Sequence, residues 1–511
     1  MCASICVPGL SSSTSSTKDI AVANTFEEYG RKYGTFIAIA VAALVWMLPT
    51  PESMTLTQHK LLTIFSGAIV LWITLSVSVA TSTIIIVPIL YLWVGNAEGA
   101  LNEQGELVRQ AGFALSGFGS PALWLLITGF IISIAMTETG IARRVALLMM
   151  RRFGRTPLGA ILAPMFANLV IAPLTPSNTA RTAAMLPIIE GVAQAYQIKK
   201  GESNFGKALF LSNTFASNIT AGGFQTATIP NPVAIGLIAA AVGTAGVGTS
   251  WSFWTLAALP TTILVLVATP FILRLIFKPE MDSIPGGLTY VDEELKKMGP
   301  LSSKEIKALI YFLLALVLWS TDMWHKLNST MLAFVVSAFI LAPGIGVLTW
   351  KDAQKSIPWE LFVYFGGVIT LSNVLTKTKA FAWVITTLID ALGLEGVGMM
   401  PLMIGLMGFT IFSHIIWSTT TAMAGVMIPI YIGMATAFNF PVVGFVLPQA
   451  ILMGYALFLP FNTMGNIIMF GAGYYTVPEQ LKASMAVGVA AWILWAVTAM
   501  TWFPLIGLYD M

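Results

Sequence analysis

Apolar stretches run near 34–50, 61–78, 80–95, 121–138, 158–193, 206–242, 251–276, 305–320, 329–348, 360–376, 399–438, 442–471 and 483–508, separated by short polar connections. A helix rises about 1.5 Å per residue, so about 20 apolar residues cross the ~30 Å hydrocarbon core of a bilayer. The pattern predicts an all-α polytopic membrane protein. Two stretches, 158–193 and 399–438, are too long for one helix and carry a polar centre, and 206–242 and 442–471 are polar in the middle as well. Residues 1–30 lie outside the pattern. They are polar and Ser/Thr-rich, with no apolar core of a signal peptide and no arginine before Arg31, and read as a disordered cytoplasmic tail.

The first long stretch can be taken apart by length. Its centre, Pro173-Leu-Thr-Pro-Ser-Asn-Thr179, cannot continue a helix. The arm before it, Leu158 to Ala172, spans roughly 22 Å as a helix, short of the core thickness. Arg151, Arg152 and Arg155 precede it and Lys199 and Lys200 follow, which puts both ends in the cytoplasm by the positive-inside rule. Two short arms returning to one side make a re-entrant hairpin with a polar tip near the midplane.

Treating 158–193 and 399–438 as hairpins leaves about 11 transmembrane helices, with the N-terminus cytoplasmic and the C-terminus outside. Of the 26 Lys and Arg residues, only Lys60, Arg109, Lys326, Lys377 and Lys379 then fall outside, and Arg181 alone is left in the membrane. The expected layout is a cytoplasmic tail (1–33), N-terminal scaffold helices (34–115), a first repeat (116–277), a cytoplasmic loop (278–303), and a second repeat with further scaffold helices (304–511). The expected location is integral, in a bacterial inner (plasma) membrane.

The halves echo each other. Ser177-Asn-Thr-Ala lies ten residues before Pro187, and Thr419-Thr-Thr-Ala ten before Pro429. Phe224-Gln-Thr recurs as Phe461-Asn-Thr, Thr228-Ile-Pro-Asn231 as Thr463-Met-Gly-Asn466, and Thr137-Glu-Thr139 as Thr376-Lys-Thr378. Four matches in order at offsets of 235 to 242 argue for duplication. With one hairpin entering from each side, the repeat has inverted topology, an architecture of secondary transporters.

Composition narrows the function. The chain has 511 residues, 57% hydrophobic and 10% charged. That is too little polar side chain to coat soluble domains, so a soluble enzyme is excluded. The net charge of +3 belongs to the topology pattern and points to no nucleic acid. Cys2 and Cys6, both in the tail, are the only cysteines, so neither a disulfide framework nor a cysteine metal site is expected. No HExxH, GxSxG or Walker motif occurs, which leaves neither an enzyme nor an ATP-driven pump favoured.

Non-helical backbone at membrane depth persists where it lines a cavity or is buried by protein. The tips at 173–181 and 417–423 and the breaks at 222–231 and 460–466 are rich in hydroxyls, amides and glycine. Ser177-Asn178-Thr179 opens a half-helix whose free N–H groups and dipole suit an anion, and Thr419-Thr420-Thr421 holds the equivalent place. Two opposed tips make a site for an anion with two charged ends. Backbone oxygens near Ala227 and Asn462 suit Na⁺. The plainer alternative is that these hydroxyls only cap helix ends.

Thr175-Pro-Ser-Asn-Thr-Ala-Arg-Thr182, with Asn462-Thr463-Met-Gly-Asn466 and Phe470-Gly-Ala-Gly473, resembles the divalent anion:sodium symporter family of dicarboxylate, citrate and sulfate carriers. The resemblance runs from about residue 34 to the C-terminus. It implies a homodimer whose protomers move substrate by an elevator motion. It also implies substrate contacts at Ser177, Asn178, Thr179, Thr420, Thr421 and Thr463, and sodium ligands at Asn178, Ala227, Thr228, Thr420 and Asn462. Sodium-coupled members carry Ser-Asn-Thr in both tips, whereas the second tip here is Thr-Thr-Thr. Members that exchange anions share Ser-Asn-Thr-Ala-Arg but often have His where this chain has Met423.

Arg181, inside a membrane segment and two residues past Thr179, is expected to reach the anion and supply the charge Na⁺ would otherwise bring. The alternative is a structural pair with Glu138 or Glu190. His414 reads as a hydrogen-bonded hairpin residue rather than a ligand. Three functions stay open: anion exchange of di- or tricarboxylates, Na⁺-coupled symport of dicarboxylate or sulfate, and an anion channel. No cofactor is expected beyond Na⁺ as a coupling ion, and the partners are the small anion and the lipid bilayer.

Overall fold

The computed structural model describes residues 16–95, 109–242, 249–281, 288–393 and 396–511, and the regular structure among them is helical. Helices α1 (Ser16–Met47), α2 (Leu56–Thr74) and α3 (Val79–Ile89) open the chain. After α4 (Ala111–Ala114) come α5 (Pro121–Glu138), the amphipathic α6 (Ile141–Phe153), and the pair α7 (Pro157–Ile171) and α8 (Asn178–Ala195). Helices α9 (Asn204–Gly223), α10 (Pro230–Val242) and α11 (Trp251–Ile276) complete the first half. The short α12 (Thr289–Met298) leads to α13 (Ser303–Ser320), α14 (Asp322–His325), α15 (Ser329–Leu341) and α16 (Trp350–Ser356). The second half continues with α17 (Trp359–Lys377), α18 (Phe381–Leu392), α19 (Met399–Ser413) and α20 (Thr420–Ala437), then α21 (Val442–Leu452), α22 (Met464–Gly471) and α23 (Val477–Leu505).

Among the described residues, seven helical segments are long and apolar enough to cross a membrane, and five shorter apolar ones accompany them. Pro157–Leu174 and α20 pass that length test although the sequence reads them as hairpin arms. Length therefore does not separate arm from span, and the figure of 11 rests on charge alone. The tail also differs from expectation. α1 begins at Ser16, with no proline or glycine before Gly30, because a helix already nucleated by an apolar span extends at little cost through such residues.

The duplication is visible in the helices. α7 and α19 are each 15 residues at an offset of 242, and α8 and α20 are each 18 residues at the same offset. Thr139 and Thr378 both end their helices, and the hydroxyl of each donates to the carbonyl four residues back, Ala135 and Val374. The end of α6 and the second arm of the first hairpin pack against α12 and the residue before it. A Cβ on Gly154, just before α7, would come within 3.3 Å of Leu288, and one on Gly191 of α8 would overlap the Tyr290 ring. In the second hairpin, Gly433 of α20 rests in the same way on Phe381 and Ile385 of α18. The breaks after α9 and α21 touch where Gly222 and Gly454 meet, since a Cβ on Gly454 would lie 3.1 Å from the Gly222 amide. Larger residues would hold the two breaks apart.

One polar clamp fixes α6 at the end where basic residues collect. Arg144 donates to both carboxylate oxygens of Glu305 (2.7 and 3.3 Å) and to the carbonyls of Gly299 and Met298. Arg144→Ala is expected to cost about 2 kcal/mol, read as a lower unfolding temperature in detergent at pH 7.

Candidate functional site

Four helix N-termini converge on one cavity of about 840 Å³. Its walls include 176–179 before and into α8, 228–230 at α10, 418–421 at α20 and 461–464 at α22. Each brings the positive end of a helix dipole, and α8, α20 and α22 bring first-turn amides as well, whereas the first turn of α10 carries Pro230 and Pro232, which have no N–H. Three of the four ends are capped by a hydroxyl. Ser177 Oγ accepts from the Ala180 amide (3.2 Å), Thr419 Oγ1 from Ala422 (3.1 Å) and Thr463 Oγ1 from Asn466 (3.1 Å). Capping and lining the cavity are thus roles of the same residues.

Six of the seven expected substrate residues, Ser177, Asn178, Thr179, Thr420, Thr421 and Thr463, lie on this cavity. Arg181 does not. It is 1% exposed and lies behind the wall. Its Nη1 donates to the carbonyls of Thr175 (2.6 Å) and Ala227 (2.5 Å), and its Nη2 to Asn178 Oδ1 (3.0 Å) and the Ser217 carbonyl (2.8 Å). No carboxylate, neither Glu138 nor Glu190, is among these partners, so the expected ion pair is replaced by a cage of neutral oxygens. Arg181 reaches the cavity wall only through Asn178, which lines it.

The expected cation ligands have the same geometry to answer to. Asn178 Oδ1 and the Ala227 carbonyl are occupied by the guanidinium. Asn462 Oδ1 accepts from the Leu459 amide (2.8 Å), while its Nδ2 donates to the carbonyls of His414 (2.7 Å) and Trp417 (2.8 Å). Thr175 and Trp417 each stand two residues before a tip cap, at the repeat offset of 242. Both carbonyls are therefore taken by fixed N–H donors, from a cation in the first half and a neutral amide in the second. Hard cations need free oxygen ligands. Of the five expected ligands, Thr228 and Thr420 line the cavity with side-chain hydroxyls that make no hydrogen bond among the described residues. His414, fully buried, is held by the carbonyls of Thr410, Ile411 and Met453, as a hairpin residue.

Sequence reasoning missed the layer behind the tips. Asn178 Nδ2 donates to Asn218 Oδ1 (3.0 Å), and Asn218 Nδ2 donates to Asn466 Oδ1 (2.8 Å), so a buried amide relay joins the first tip to the second break. Asn466 Nδ2 in turn donates to Ala456 and Leu459, ten and seven residues back. Asn231 Nδ2 makes the same pair of bonds to Ala221 and Phe224. The signal was present: Asn213, Ser217 and Asn218 sit on an apolar helix, where buried amides must have partners.

With this geometry in view, three comparisons bear on the chain. The model of the sodium:sulfate symporter transmembrane region matches residues 31–509. The L-tartrate/succinate antiporter of Escherichia coli K12 is 28% identical over 481 residues, covering 92% of this chain and 97% of that one. A membrane protein of Cupriavidus necator is 29% identical over 479 residues, covering 92% of each chain. Two solved structures share the fold at a TM-score of 0.52. The Alcanivorax borkumensis YdaH transporter is 12% identical and covers 88% of this chain and 98% of its own. Neisseria gonorrhoeae MtrF is 13% identical, with 86% and 97% covered. These neighbours are transporters, not enzymes.

Proposed function

Because the chain belongs to the family of the sodium:sulfate symporter transmembrane region, we propose that it carries small dicarboxylates across the membrane by exchange, without Na⁺. The observation that carries this reading is Arg181, whose guanidinium holds the oxygens that a coupling cation would need. Converging helix N-termini and cavity hydroxyls supply the anion's hydrogen bonds. Likeness to an L-tartrate/succinate antiporter over nearly the full length supports the dicarboxylate class.

Exchange follows from the fixed charge. A carrier that binds Na⁺ can release it and return neutral, whereas Arg181 stays. With the cavity empty, its charge sits in a low-dielectric setting with no anion beside it, which makes crossing the membrane costly. A bound dianion offsets that charge, so the loaded form crosses and the empty one does not. In this reading each protomer of a homodimer moves its own cargo by an elevator motion.

Proteoliposomes preloaded with succinate are expected to take up labelled succinate, and empty ones to take up less than about a tenth as much. A Na⁺ gradient should change neither. Equal flux into empty vesicles without saturation would instead mark a channel.

A further inference from the structure

We propose that Asp322 is a positioning residue of the substrate site: acting through Trp251 and Thr226, it holds the chain just before the first tip, and so sets where that tip meets the anion. The inference rests on the dicarboxylate reading above. Glu305 and Asp322 are the buried carboxylates among the described residues. Glu305 has Arg144 as its partner, whereas Asp322, 3% exposed at the start of α14, accepts from neutral donors. Its Oδ2 accepts from the amides of Trp251 (2.8 Å) and Ser252 (3.4 Å) and from the Ser329 hydroxyl (3.4 Å), and its Oδ1 from the Ser252 hydroxyl. The free N–H groups and positive dipole end of α11 thus stand where a counter-ion would.

From Trp251 the contact runs on to the tip. Trp251 Nε1 donates to Thr226 Oγ1 (3.0 Å), and Thr226 Oγ1 donates to the Pro173 carbonyl (2.5 Å). The indole is held in place by stacking on Phe224 (centroids 5.9 Å apart) and on Trp319 (5.7 Å). Trp319 is itself tied down, its Nε1 donating to the carbonyl of Ser329 (3.1 Å). The far end of this relay adjoins the oxygens that hold Arg181. Ala227 follows Thr226 directly, and Thr175 lies two residues after Pro173 and just before Pro176 of the cavity wall. Two prolines in four residues leave this stretch little freedom, so fixing the Pro173 carbonyl fixes the entry to the tip. The repeat shows how the two halves differ. Thr463, the counterpart of Thr226, lines the cavity and donates to Asn466, whereas Thr226 is 2% exposed and its hydroxyl serves as a strut. The competing account is that Asp322 only caps α11. That end already has a cap, since Ser250 Oγ accepts from the Phe253 amide (3.1 Å). A carboxylate from 71 residues further along the chain also fixes where the helix end lies.

The test is titration of succinate into the purified protein. Asp322→Ala and Thr226→Val, which break the relay at its two ends, are each expected to weaken the Kd about tenfold. The double variant should bind as the weaker single one does, to within a factor of about two, because the same relay is broken only once. Two unconnected structural losses would instead multiply to about 100-fold. Asp322→Asn keeps an acceptor for the Trp251 amide and should recover most of the affinity. Ser329→Ala removes a donor from the same carboxylate but lies off the relay, so it should lower the unfolding temperature without moving the Kd. Should Asp322→Ala insert poorly, Trp251→Phe, which keeps a stacked ring and loses the indole N–H, replaces it in the pair with the same expectation. An unchanged Kd in either single variant, multiplied effects in the double one, or an equal shift from Ser329→Ala overturns the proposal. Wild-type protein that binds no succinate would instead refute the dicarboxylate reading, and the role of Asp322 would fall with it.

Discussion

Arg181→Met is expected to abolish succinate exchange, to below about 1% of the wild-type rate, in a protein that still inserts. Methionine is the residue at the equivalent place of the second repeat, Met423, so the substitution asks the first half to work without its cation. Three buried oxygens, the carbonyls of Thr175 and Ala227 and the amide oxygen of Asn178, lose their donor at once, while the Ser217 carbonyl keeps the Thr220 hydroxyl. An orphaned buried acceptor costs about 1–3 kcal/mol, so three together approach the ~5–15 kcal/mol that holds a domain folded. Water or a monovalent cation is expected to enter and satisfy them, and the unfolding temperature of Arg181→Met should rise with added NaCl but not with choline chloride. Arg181→Lys keeps the charge but cannot serve four directions from a guanidinium plane, and should retain a small part of the activity. Wild-type exchange by Arg181→Met would show that the fixed charge has no part in transport.

Asn178→Ala removes a smaller group with nearly the same effect. Asn178 faces the cavity and supports the layer behind it, accepting from Arg181 and donating to Asn218. Losing one charged and one neutral hydrogen bond costs about 3 kcal/mol. The larger loss is positional, because the relay from Asn178 through Asn218 to Asn466 is what couples the first tip to the second break. Exchange is expected to fall at least 100-fold while membrane insertion and the size-exclusion profile stay as in wild type. Uptake near the wild-type rate by a well-expressed Asn178→Ala protein would remove this tip from the site.

How much of this was readable beforehand depended on whether the information lay along the chain or across it. The hairpin arms announced themselves because Pro173 and Pro176 interrupt an apolar run at a point too early for a full span. The residues lining the cavity were legible because hydroxyls and amides have few other reasons to gather at membrane depth. The direction in which Arg181 points was not. Two residues beyond Thr179 is close in sequence, but on a helix positions i and i+2 look to nearly opposite sides. Asn178 and Arg181, three apart, share a side, and that side is covered by Ser217 and Asn218 of α9. Only the packing of α8 on α9 decides this, and helix-to-helix packing leaves no mark at a single position. The extension of α1 back to Ser16 was hidden for a related reason, since polar residues carry no apolar stripe when the helix is an overhang of a span.

If a fixed guanidinium has taken the place of a coupling ion, substrate binding needs no Na⁺. Titration of succinate into the purified protein, with Na⁺ replaced entirely by choline at constant ionic strength, measures this without any assumption about orientation or flux. The expected Kd is the same in both salts to within a factor of about two, because the Ala227 carbonyl and Asn178 Oδ1 already accept from the guanidinium. A Kd that tightens tenfold or more with Na⁺, equivalent to about 1.4 kcal/mol of coupling, would contradict it.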